Sequence, residues 1–173
     1  MTTAYIVTFI GDDRPGLVEE LSSVIDSNGG NWHESRLSQL GGKFAGLVSV
    51  SLPKDNGPAL EEALRNLADS GISVRVTPTA SLQAPASGKP VTLDVIGPDR
   101  PGIVKEVTRK LAEHSVNVID MDSQISSAPM SGELLFHTRI HAQVPEALSW
   151  ESLSDELDAI ANELTLDIDL EEV

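Results

Sequence analysis

An apolar run from Tyr5 to Ile10 has the length of a strand and falls short of a helix. Leu17, Val18, Leu21, Val24 and Ile25 then recur at helical spacing and form one apolar stripe. Asn28-Gly29-Gly30 ends that helix, since glycine can take the left-handed cap. Residues 31–40 read as a strand of mixed polarity, and Leu40-Gly41-Gly42-Lys43 as a tight hairpin. Phe44, Gly46, Val48, Val50 and Leu52 alternate along the next strand. A loop from Pro53 to Pro58 leads to a second amphipathic helix, marked by Leu60, Ala63, Leu64 and Leu67 and capped near Gly71. Ile72 to Val76 predicts a fourth strand.

The second half repeats this order. Val91 to Ile96 predicts a strand, and Ile103, Val104, Val107 and Leu111 line a helix. His114, near the end of that helix, suits its dipole when charged. Asn117 to Ile125 predicts a strand with Ile119, Met121 and Ile125 on one face, followed by a loop over Ser126 to Gly132 and a strand over Glu133 to Ala142. Leu153, Leu157, Ile160, Ala161 and Leu164 give the second helix, and Leu166 to Leu170 the last strand. Strand, helix, strand, strand, helix, strand is the split βαβ, ferredoxin-like arrangement. The fold class is therefore α+β, with two tandem βαββαβ units, each an antiparallel sheet with both helices on one face. Pro78 through Pro90 is rich in Ala, Ser, Pro and Gly and predicts a linker. The expected boundaries are 1–79 for the first domain, 80–89 for the linker and 90–173 for the second domain.

The duplication shows most clearly where the first strand meets the first helix. Gly11-Asp12-Asp13-Arg14-Pro15-Gly16-Leu17-Val18 and Gly97-Pro98-Asp99-Arg100-Pro101-Gly102-Ile103-Val104 lie 86 residues apart. At the same offset Glu20 matches Glu106 and Asn31 matches Asn117. A repeat of that length is a whole small domain, not a solenoid unit. Proline suits the first helical position, where its missing N–H would be unpaired anyway. It also biases Arg14 and Arg100 toward extended backbone. Gly16 and Gly102 leave the helix N-terminus open to close approach. Such an end carries free N–H donors and partial positive charge, and so favours a carboxylate or phosphate. Asp13 or Asp99 beside it could accept from an ammonium group. A free amino acid satisfies both features; a well-made helix start with no ligand is the plainer alternative.

Charge narrows the function classes. The chain has 173 residues, no Cys and a net charge of −15. Disulfides and thiolate chemistry are excluded. Direct nucleic-acid binding, which depends on Lys and Arg neutralising phosphates, is disfavoured. Residues 81–173 carry 17 of the 27 acidic side chains, and no Lys or Arg follows Arg139. That acidic tail reads as a solvated surface that aids solubility or as a docking surface for a basic protein. The absence of a signal peptide and of a long apolar run leads us to expect a cytoplasmic protein without membrane attachment.

A βαββαβ unit with Asp-Arg-Pro-Gly at its first strand–helix turn, and Asn opening its second strand, resembles the ACT domain, a family of small-molecule sensing modules. The resemblance covers both copies. Ser127-Ala128-Pro129-Met130-Ser131-Gly132 leading into Leu135-Phe136 is similar to the stand-alone tandem ACT regulators of transcription. Deformylases and uridylyltransferases carry similar segments joined to catalytic domains, for which this chain has no room. The resemblance implies units paired side by side and a small amino acid ligand, glycine or similar, at their interface. The first turn of one unit and the second strand of the other would hold it. The ligand-binding residues would be Asp13, Arg14, Gly16 and Asn31 from the first copy and Asp99, Arg100, Gly102 and Asn117 from the second. It also implies indirect control of transcription through a protein partner, such as a DNA-binding activator, and leaves a homodimer open. The first turn has Asp12 and Glu19 where the second has Pro98 and Lys105, so the second is expected to hold a ligand carboxylate more tightly.

Other chemistries fit less well. His137 and His141 share a strand face but sit roughly 13 Å apart along it, and His33 and Glu34 point to opposite faces, so no metal is expected. No P-loop, Gly-x-Ser-x-Gly or Cys nucleophile is present, and Asp120, Asp122 and Ser123 have no basic partner placed by the sequence. We therefore expect no enzyme and no cofactor. Two classes remain: a ligand-sensing regulator, and an assembly module whose turns bind nothing.

Overall fold

The structure is a computed structural model that describes residues 1–80, 82 and 88–173. The chain forms two compact units, Met1–Ala84 and Pro85–Val173. Most of the linker expected at 80–89 lies outside the described residues. The strands on either side reach further into it than expected, and take in both Pro78 and Pro90. Proline is tolerated there because Pro78 sits in an edge strand and Pro90 near the start of its strand.

The first unit runs β1 (Thr2–Asp12), α1 (Leu17–Ser27), β2 (Asn31–Leu40), β3 (Lys43–Pro53), α2 (Gly57–Arg65) and β4 (Ser73–Thr79). Its sheet order is β2-β3-β1-β4, with every neighbouring pair antiparallel. Alternation along β1 buries Tyr5, Val7 and Phe9, while i, i+4, i+8 spacing along α1 buries Leu17, Leu21 and Ile25. These pack with Val48, Val50 and Leu52 of β3 and Leu60 and Leu64 of α2 in one core. Each fully buried leucine contributes about 1.5–3 kcal/mol.

The second unit repeats the plan with β5 (Lys89–Pro98), α3 (Ile103–Glu113), β6 (Asn117–Ser127), β7 (Leu134–Val144), α4 (Trp150–Leu164) and β8 (Asp167–Glu172). The sheet order is β6-β7-β5-β8, again antiparallel. Val91, Leu93 and Val95 meet Ile103, Val107 and Leu111 of α3 and Leu153, Leu157 and Ile160 of α4. Each unit is thus a four-stranded antiparallel βαββαβ sheet with both helices packed on one face.

Three local readings change. The expected loop after Pro53 contains a 3-10 turn over Lys54–Asn56, and α2 already begins at Gly57. Leu67 belongs to a 3-10 turn over Asn66–Ser70 rather than to α2, and Gly71 closes it with φ 80°. Ile119 drops out of the ladder that holds Met121 and Ile125. A bulge between Val118 and Asp120 inserts one residue, so the inward face carries Val118, Met121 and Ile125. The first unit has its bulge at the same place, between Trp32 and Ser35. Simple alternation cannot register an inserted residue.

Candidate functional site

The Asp-Arg-Pro-Gly stretch folds as a β-turn feeding a helix. Leu17 donates its N–H to the carbonyl of Arg14, which makes Pro15 and Gly16 the two central residues. Gly16 has φ 85° and ψ −3°, the second central position of a type II turn. Gly102 repeats it with φ 97° and ψ −7°. Proline therefore sits two residues ahead of the first helical residue, not at it. Glycine is needed chiefly because the chain enters the left-handed region, and a Cβ at either position would meet nothing within 4 Å. The space above each turn is open, as its small side chain suggested.

Helix α1 starts with Glu20 donating to the Gly16 carbonyl at 2.9 Å, and no side chain caps it. Helix α3 starts the same way, from Glu106 to Gly102. The adjacent hairpin tip fixes the first turn: Asp13 N–H donates to the Gly42 carbonyl at 3.0 Å. In the second unit the longer loop after β6 is bridged differently, and Asp99 N–H donates to Leu134 at 2.8 Å.

A cavity of about 170 Å3 opens at the first turn, lined by Asp13, Arg14, Gly16, Val18, Glu19 and Phe44, with Leu17 beneath. Three of the four first-copy residues expected at a ligand site thus line one cavity. Phe44 joins them from outside the motif. It faces Gly11 across the β1–β3 ladder and stacks, tilted, 6.1 Å from Phe9. The register that puts it over the turn is a long-range pairing, which no local pattern encodes.

Asn31 lies elsewhere. It pairs with Ser51, which faces Ala4, whereas the turn follows Asp12 at the far end of β1. Eight residues of strand separate the two levels, roughly 26 Å. Asn31 lines a different cavity with Ser22, Ser23, Asp26 and Trp32. In the second unit Asn117 is level with Gln143 and Pro90, again at the opposite end from Asp99, Arg100 and Gly102. Within one unit, the turn and the asparagine do not meet.

Electrostatics distinguish the two turns. Arg14 Nη2 donates to Glu20 Oε2 at 2.6 Å and approaches the Ser70 carbonyl at 3.5 Å. That guanidinium holds the Glu20 carboxyl below the usual range. Asp12 is paired with Lys43, which lowers its carboxyl too. At the second turn, Glu106 is taken by Arg109 at 2.7 Å, a residue whose counterpart in the first copy is Ser23. Among the described residues, no ion pair engages Arg100.

The histidines have local partners. His33 shares a 2.7 Å hydrogen bond with Ser51 Oγ, His137 lies 3.4 Å from Asp94, and His141 lies 3.1 Å from Thr92 Oγ1. Among the described residues no three His, Cys, Asp or Glu side chains converge as a metal site. Asp120 and Asp122 lie on the open face of the second sheet, while Ser123 pairs with buried Thr138 on the other face. No helix among the described residues is long and apolar enough to cross a membrane.

Comparison with known proteins agrees with this architecture. ACT-domain family profiles match residues 3–77 and 91–149. The chain is 24% identical over 161 residues to the glycine cleavage system transcriptional repressor of Escherichia coli (strain K12), covering 92% of this chain and 84% of that protein. The repressor of Shigella flexneri matches to the same extent. The crystal structure of an unknown protein from Galdieria sulphuraria superposes with a TM-score of 0.88 at 31% identity, covering 100% of this chain and 99% of the other. With both halves matched and the turn geometry repeated in each, the chain belongs to the ACT-domain family and carries two of its units in tandem.

Proposed function

We propose that the protein is an amino-acid-sensing regulator that acts on transcription through a protein partner, in the manner of a glycine cleavage system repressor, and that it is not itself an enzyme. The observation that carries this reading is the cavity at the first turn, where an uncapped helix N-terminus, an exposed carboxylate at Asp13 and an open glycine meet. The helix end suits a ligand carboxylate and Asp13 suits its ammonium group. Glycine or another small amino acid fits a space of about 170 Å3. Because Asn31 and Asn117 stand at the opposite ends of their own sheets, we assign them to the far side of a ligand held between two units. The net charge of −15 supports a protein partner, a DNA-binding activator for instance, over direct contact with DNA. The same reading places the protein in the cytoplasm.

Thermal-shift titration with the common amino acids and small carboxylates tests it. A ligand at a hundred times its dissociation constant adds about 2.7 kcal/mol of stability. One amino acid should raise the midpoint, and Asp13→Ala or Asp99→Ala should weaken that response without altering the unliganded midpoint, since both side chains are exposed. A folded protein that responds to none of them is an assembly module instead.

A further inference from the structure

Each sheet has one face covered by helices and one left open. The open faces differ in character, although the two units share one plan. Paired residues share a face, so the ladders define both surfaces.

On the first sheet the open face carries Ala4, Ile6, Thr8 and Ile10 of β1, opposite Ser51, Ser49, Leu47 and Ala45 of β3. Ile10 and Leu47 are exposed to 48% and 47%. The flanking strands add Arg75, level with Thr8, and Arg36, level with Leu47. Among the described residues neither arginine has an ion pair, and both are exposed. The carboxylates that border this face are Asp12, already paired with Lys43, and Glu34 in the bulge. It is a strip of mixed apolar and hydroxyl side chains between two cations that have no ion pair among the described residues.

On the second sheet the open face is acidic. Strand β8 contributes Asp167, Asp169 and Glu171, level with Ile96, Asp94 and Thr92 of β5. Strand β6 contributes Asp120 and Asp122, level with His141 and Arg139 of β7. Asp94 holds Arg139 at 2.9 Å and so neutralises the one permanent cation. Asp122, Asp167, Asp169 and Glu171 have no ion pair among the described residues. A cavity of about 360 Å3, lined by Asp122, Gln124, His137 and Arg139, gives this face the relief to receive a long side chain.

We propose that the open face of the first sheet docks on the open face of the second sheet in another copy of this chain. Charge complementarity selects that occupant. Two unpaired arginines flanking that strip meet unpaired carboxylates that the same sequence supplies, whereas either face against itself sets like charges together. Reciprocal docking uses both faces of both copies and closes as a dimer.

Sedimentation velocity of the full chain tests this. Wild type should sediment at twice the chain mass at about 0.01 M salt and shift toward the monomer near 1 M, as the Debye length falls from about 30 Å to about 3 Å. R36E/R75E and D122R/D169R should each be monomeric, with the circular dichroism and thermal midpoint of the wild type. An equimolar mixture of the two variants should regain the dimer, because reversed faces then meet their complements. A wild type that stays monomeric at low salt overturns the proposal, as does a dimer that survives in either variant alone.

Discussion

Arg14 and Glu20 meet at 2.6 Å across the first turn, while Glu106, the counterpart of Glu20, turns away to Arg109. One substitution between the copies, Ser23 against Arg109, accounts for the change of partner. If the turns are carboxylate receptors, Arg14 is occupied and Arg100 is available. Glu20→Gln should therefore improve ligand binding at the first turn, and Arg109→Ser should weaken it at the second by letting Glu106 reach Arg100. All four side chains of these two pairs are partly exposed to solvent, so each effect should be about two- to fivefold in affinity, read by calorimetric titration. An unchanged affinity in both variants would separate these arginines from the ligand.

The turns themselves predict a stability effect that does not depend on any ligand. Gly16 and Gly102 adopt φ 85° and 97° with empty space where a Cβ would stand. Gly16→Ala and Gly102→Ala should each cost about 1–2 kcal/mol, the penalty of a left-handed L-residue, with no added clash. Denaturant midpoints check this. A neutral result would mean that the turn relaxes to another type.

Much of this fold is legible in the chain. The stripe of Leu17, Leu21 and Ile25, the Gly41-Gly42 hairpin and the 86-residue repeat are local or periodic signals, and each appears where expected. Two kinds of information are not local. A bulge at Ile119 shifts every later side chain of β6 by one face, and only the pairing with His141 and Ala142 reveals it. The wall that Phe44 adds to the first turn depends on the β1–β3 register. The separation of Asn31 from Gly16 follows from strand direction, which the element order implies but the motif alone does not. Pro-Gly in the sequence suits a helix start and a type II turn alike; the left-handed Gly16 decides for the turn.

Acid sensitivity in the second unit should depend on Asp94. Arg139 and, to a lesser extent, His137 hold its carboxyl below the usual value. A carboxylate depressed in the folded state contributes stability that is fully present above its unfolded pKa of about 3.9 and is lost as pH falls through the lower folded value. Asp94→Asn should thus flatten part of the stability decline below about pH 4 while leaving the neutral-to-basic profile unchanged in shape. Glu106, Glu113 and Glu156 are depressed as well, so a residual slope should remain. Urea midpoints across that range measure it, and a wild-type slope in the variant would remove Asp94 from the acid response.

The separate cores make a last prediction. Trp32 packs against the core of the first unit and Trp150 against that of the second, and the chain has no other tryptophan. Trp150→Phe leaves Trp32 to report the first unit, and Trp32→Phe leaves Trp150 to report the second. Leu21 and Leu153 are both fully buried, one in each core. Leu21→Ala should destabilise the Trp32 transition by about 2–5 kcal/mol and leave the Trp150 transition in place, with Leu153→Ala doing the reverse. Such a result would mean that each unit folds on its own hydrophobic core. If either substitution moves both transitions equally, the units unfold as one cooperative body, and the energy that couples them must come from contacts beyond the two cores.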